Sequence, residues 1–164
     1  MGPAPAQLLA SARALCDAFA SKAPPDELLS HFSTTHSISA FEHGLPLLAP
    51  FLGRPFTGRT GPTSVPAYFQ LLTKYLTFED MSFSDWAVDA DARRVSLKGS
   101  ARFTWAEGNG EGQGWDEKFV YMLDFDDEGK VTDYQVWADS GAAYLAHRGE
   151  LAGKIKEFAE TQDT

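Results

Sequence analysis

A single cysteine, Cys16, is present in the 164 residues. It excludes an intrachain disulfide and a cysteine-rich zinc cage, and it fits a reducing compartment. Basic residues are scarce as well: 14 Lys and Arg against 23 Asp and Glu leave a net charge of -9. That balance argues against a partner such as nucleic acid or anionic lipid, whose phosphates need neutralising. No run reaches the roughly 18 apolar residues that a membrane span requires. The amino-terminal segment has neither the basic start and apolar block of a secretory leader nor the Ser or Thr of a myristoylation site, so the expected address is cytoplasmic. There is no Gly-x-Ser-x-Gly elbow, no dinucleotide fingerprint and no phosphate loop. A nucleophilic serine enzyme and a nucleotide cofactor are thereby disfavoured.

What is present is a globular composition, 43% hydrophobic and 13% aromatic with 23% charged. The length suits a single domain. Its core is expected over about residues 5–146, with a C-terminal helix at about 149–161. Leu8, Leu9, Ala12, Leu15, Ala18 and Phe19 recur at helical spacing, and Cys16 lies on that stripe as a small buried hydrophobe. Pro24-Pro25-Asp26-Glu27 starts a short second helix. From Thr34 to Glu42 the period changes to two, placing His36, Ile38, Ala40 and Glu42 on one face of a strand that ends at Gly44.

Residues 45–66 hold five of the nine prolines and are expected to be irregular. A third helix follows, capped by Ser64 and carrying Tyr68, Leu71, Leu72 and Leu76. From Thr77 the pattern is strand and turn. Residues 81–88 alternate only loosely, whereas Val95, Leu97, Gly99, Ala101, Phe103 and Trp105 alternate cleanly. Phe119, Tyr121, Leu123 and Phe125 do the same, and Asp126-Asp127-Glu128-Gly129 turns the chain into a last strand ending at Trp137. Helices followed by an antiparallel meander define an α+β class, with helices packed on one face of a curved sheet.

Four segments carry a family resemblance: Phe32 with the strand ending Phe41-Glu42-His43-Gly44, the loop Phe56-Thr57-Gly58-Arg59, the turn Phe125-Asp126-Asp127-Glu128-Gly129-Lys130-Val131, and the strand Tyr134-Gln135-Val136-Trp137-Ala138-Asp139. Over most of residues 5–146 the chain resembles the SnoaL-like division of the nuclear transport factor 2-like superfamily, and within it is most similar to fungal proteins of secondary metabolism. The resemblance implies a cone-shaped fold, a homodimer formed through the outer sheet face, and a small apolar metabolite held in the cone. The scaffold serves isomerases, cyclases, dehydratases and non-catalytic carriers alike. The catalytic set of ketosteroid isomerase does not transfer: the first helix offers no tyrosine, Ala40 stands near the position of the catalytic aspartate, and Tyr121 near that of the oxyanion-hole aspartate.

An apolar concave face would display Ile38, Phe103, Trp105 and Phe119 as ligand contacts, and the resemblance adds Trp137. A carboxylate inside such a cone is a general acid or base, for which Glu42 and Asp139 are the candidates. Glu42 could equally be a solvated strand end, and Asp139 a helix cap. His36 could exchange a proton or sit as a satisfied core histidine. Tyr121 could donate to a developing oxyanion or be tied to backbone, and Trp105 and Trp137 could be ligand walls or core filler. No metal site is expected, because no ligands share a zinc spacing, and no cofactor is expected. The functional expectation is a cofactor-independent isomerase, cyclase or dehydratase acting by proton transfer. Its alternatives are a non-catalytic binding protein and a dimeric interaction module.

Overall fold

The computed structural model describes residues 2–163. Helix α1 (Pro5–Ala20) starts with Pro5 at its first position, where a missing N–H costs nothing, and buries Leu8, Ala12, Leu15, Cys16 and Phe19. Helix α2 (Pro25–Leu29) follows a tight reversal. Strand β1 (Ser39–His43) leads into the proline-rich segment, which is irregular as expected apart from the two-residue strand β2 (Phe56–Thr57). Ser64 accepts the Ala67 N–H and caps α3 (Val65–Tyr75).

The chain passes from α3 without a loop into β3 (Leu76–Asp89), then β4 (Arg94–Trp105), β5 (Gly114–Phe125) and β6 (Val131–Trp137). Helices α4 (Ser140–His147) and α5 (Leu151–Gln162) finish it. The six strands form one sheet in the order β2-β1-β6-β5-β4-β3. β1 runs parallel to β6, and every other pairing is antiparallel. This is the α+β arrangement expected from the order of elements, with helices gathered over one face of a curved sheet.

Two local features depart from simple alternation. β1 begins at Ser39 rather than Thr34, because the Ser33 hydroxyl donates to Asp126 at 2.6 Å while accepting the N–H groups of Thr35 and His36. That turn holds residues 34–37 out of the sheet. The same Asp126 carboxylate accepts the N–H groups of Glu128 and Lys130 and so shapes the turn between β5 and β6. β3 breaks register at Asp80 and Asp85, both left-handed, with φ of 55° and 57°. Each extra residue resets the inward face, which runs Leu76, Phe78, Met81, Phe83, Trp86, Val88.

Across the middle of the sheet Gly99 pairs with Phe119. A Cβ on Gly99 would stand 2.1 Å from the Phe119 ring, so the missing side chain is what lets that ring lie over β4 and wall the interior.

Candidate functional site

The concave face does not close on the helices completely. A cavity of about 280 Å³ remains between the end of α1, the inner side of α3 and strands β3 to β6. Its walls are mostly apolar, with the rings of Phe19, Phe69, Phe78, Phe103 and Phe119 among them. Such a concave, apolar site with a few polar groups is the usual form of a small-molecule pocket.

Glu42 is the first of two buried acids on the cavity wall. The alternation of β1 turns it inward with Ala40, and it is 7% exposed. The Tyr68 hydroxyl, on the inner face of α3, donates to Glu42 Oε1 at 2.5 Å. Burial pushes the Glu42 carboxyl up to about 8; the Tyr68 hydrogen bond pulls against that shift and the charge of Glu117 adds to it.

Glu117 is the second acid. It shares the inward face of β5 with Phe119 and Tyr121, and its Oε1 accepts the Trp115 indole N–H and the Asp139 backbone N–H, each at 3.1 Å. Burial pushes it up to about 7, opposed by those two hydrogen bonds and reinforced by the charge of Asp139. Around neutral pH Glu42 is therefore protonated while Glu117 stands near its midpoint. Two carboxyls on one apolar cavity, held at different proton affinities, can serve as a donor and an acceptor of protons.

Tyr121 borders the same space, with its ring 5.0 Å from that of Tyr134 and 5.6 Å from that of Phe19. Burial pushes its hydroxyl far above the ordinary tyrosine range, so it stays a neutral donor. The free thiol of Cys16 is buried and driven far up in the same way, which removes it as a nucleophile. Among the described residues no group of three or more His, Cys, Asp or Glu is placed to hold a metal ion.

Of the residues singled out in the sequence, Glu42, Tyr121, Phe103 and Phe119 come together on the cavity. Asp139 reaches its rim, but its Oδ1 accepts the Ala142 N–H at 3.0 Å and caps α4. Ile38 is buried in the core just before β1 and does not border the cavity. His36 is a correction: the Ser33 turn leaves it exposed, its Nδ1 2.9 Å from Thr35 Oγ1 and 3.9 Å from Asp126 Oδ2.

Trp137 is another correction. β6 is set in register with Leu123 opposite Tyr134 and Tyr121 opposite Val136, so Tyr134 and Val136 take the inward positions. Trp137 therefore lies on the outer face, 39% exposed and stacked on the His43 ring at 4.1 Å. Trp105 is inward but beyond the cavity, enclosed by Phe51, Tyr75 and His147.

Two residues of the candidate site, Glu117 and Tyr68, are not singled out for chemistry by the sequence. Glu117 carried a usable signal, since it stands two positions before Phe119 on the same strand face. Tyr68 carried none beyond its place on the apolar stripe of α3, because its partner Glu42 is 26 residues away.

No protein-family model and no curated protein matches the chain. Solved structures do. An NTF2-like protein of unknown function from Burkholderia pseudomallei aligns at 14% identity and a TM-score of 0.63, over 82% of this chain and 92% of that one. The BvnE pinacolase of Penicillium brevicompactum aligns at 20% identity and a TM-score of 0.61, over 90% and 96%. A steroid delta-isomerase from Pseudomonas aeruginosa aligns at 19% identity and a TM-score of 0.57, over 98% and 99%. The protein has the nuclear transport factor 2-like cone fold. No helix among the described residues is long and apolar enough to cross a membrane.

Proposed function

We propose that the protein is an isomerase, cyclase or dehydratase that works without a cofactor, by proton transfer on an apolar oxygenated metabolite held in the cone. The observation that carries this reading is Glu42, buried in an aromatic cavity with Tyr68 bonded to one oxygen and a second carboxyl, Glu117, in the same space. In its protonated form Glu42 delivers a proton from its other oxygen; ionised, it removes one. Glu117 takes the complementary part, and the Tyr121 hydroxyl steadies negative charge developing on a substrate oxygen. The steroid delta-isomerase and the pinacolase that share the fold are consistent with rearrangement chemistry in such a cavity.

A substrate-independent probe tests this. Nitrobenzisoxazole opens to a coloured cyanophenolate when a base removes its ring proton, and a carboxylate in an apolar pocket accelerates that step. The protein should catalyse the opening with a rate that rises with pH, and Glu42→Gln should lower it at least tenfold while leaving the circular dichroism spectrum unchanged. Equal rates for the two proteins would remove Glu42 from the chemistry.

A further inference from the structure

The charged residues bordering the cavity are Glu42, Glu117, Asp139 and Lys22, so Lys22 is the one cation among them. It is exposed, as is Asp139, whereas Glu42 and Glu117 are buried, so the cavity has an acidic interior and an outer rim that carries one cation, Lys22, and one acid, Asp139, whose Oδ1 is taken up in capping α4.

The backbone at Lys22 is unusual. Helix α1 closes with the Lys22 N–H on the Phe19 carbonyl and the Ala23 N–H on the Ala18 carbonyl, both at 2.9 Å, and Lys22 takes the left-handed conformation, with φ of 60°. That position of a helix ending is normally filled by glycine, because a Cβ there is strained. Lysine at this point is unfavourable locally, and its side chain supplies no compensating ion pair among the described residues. Its ammonium instead lies 5.3 Å from the centre of the Phe78 ring, which is itself part of the cavity wall. A strained turn therefore places beside the opening a cation that rests on an aromatic ring and makes no ion pair among the described residues.

We infer that Lys22 is a specificity-determining residue that receives a carboxylate at the outer end of the ligand, so that the cavity selects apolar molecules with one acidic end turned to solvent. This rests on the ligand-holding cavity of the proposed function and adds the class of molecule it takes. An acid in that orientation keeps its charge at the wet rim and its apolar body among the aromatic rings.

The test compares naphthoate with naphthamide, which match in shape and differ in charge, by calorimetric titration at about pH 6, where Glu42 and Glu117 are both largely neutral and do not repel the anion. The wild-type protein should bind naphthoate about fivefold more tightly than naphthamide, the size of one partly solvated charge pair. Lys22→Met should abolish that preference, bringing naphthoate and naphthamide to equal affinity, and Lys22→Arg should keep it. Lys22→Gly should lose it too while unfolding at no lower temperature, since glycine relieves the strained turn; a merely structural lysine would give the opposite result on stability. Unchanged naphthoate preference in Lys22→Met overturns the role of Lys22 and leaves the cavity standing. Failure of the wild-type protein to bind either compound overturns both.

Discussion

The Tyr68 hydroxyl and Glu42 Oε1 lie 2.5 Å apart at the wall of an apolar cavity, joining α3 to β1 through a buried carboxyl. The bond favours the ionised carboxylate and so opposes the effect of burial. Tyr68→Phe should raise the Glu42 midpoint above about 8, whereas Glu117→Gln, by removing a neighbouring negative charge, should lower it. Opposite displacements of the pH-rate midpoint for nitrobenzisoxazole opening would establish both couplings. Tyr68→Phe should also cost about 1–3 kcal/mol of stability in chemical denaturation, as expected when a buried polar group loses its partner.

The pH dependence of stability follows from the same shifts. Glu42 and Glu117 bind protons more tightly folded than unfolded, so their contribution is fully present below about 4.5 and is lost as pH rises through about 7 for Glu117 and about 8 for Glu42. Glu42→Gln removes the larger part of that loss. Relative to the wild-type protein it should gain on the order of a few kcal/mol between pH 5 and pH 9, measured by urea unfolding at both values. A constant difference across that range would contradict the burial of an ionisable Glu42.

Gly99→Ala should destabilise the protein by about 1–3 kcal/mol, because the new methyl collides with the Phe119 ring and the ring must turn into the cavity. Thermal unfolding reports the cost, and weaker binding of naphthamide would report the displaced wall.

The outer sheet face carries Val120 and Trp137 directly opposite each other, 37% and 39% exposed, with His43 stacked against the indole. A homodimer through this face is our proposal for that apolar patch. A double substitution, Val120→Lys with Trp137→Glu, should convert a dimer to the 17.9 kDa monomer in sedimentation equilibrium. A wild-type protein that sediments as a monomer at high concentration would end the proposal.

Much of the architecture was legible because it is periodic. The stripe of α1, the Ser64 cap of α3 and the alternation of β4 and β5 follow from residue spacing alone. Glu42 was readable for the same reason, since it shares the parity of Ile38 and Ala40. What the spacing does not contain is strand register. Trp137 and Tyr134 both sit on a strand with aromatic residues of either parity, and pairing with β5 decides which of them turns inward. His36 was misplaced by a tertiary contact, the Ser33 hydrogen bond to Asp126 across 93 residues, which no local pattern announces. The loose alternation of residues 81–88 was a true signal of irregularity, and the left-handed aspartates at positions 80 and 85 explain it.

Those two aspartates also bear on how the protein behaves among its own copies. β3 ends the sheet, so one side of it presents backbone donors and acceptors that no neighbouring strand satisfies. Breaking the strand twice, each time at an exposed acidic residue, divides that free side into three short pieces, with Asp80 at one joint and Asp85, 4.0 Å from Lys98, at the other. A second unfolded or partly folded chain is thereby denied a straight template along this edge.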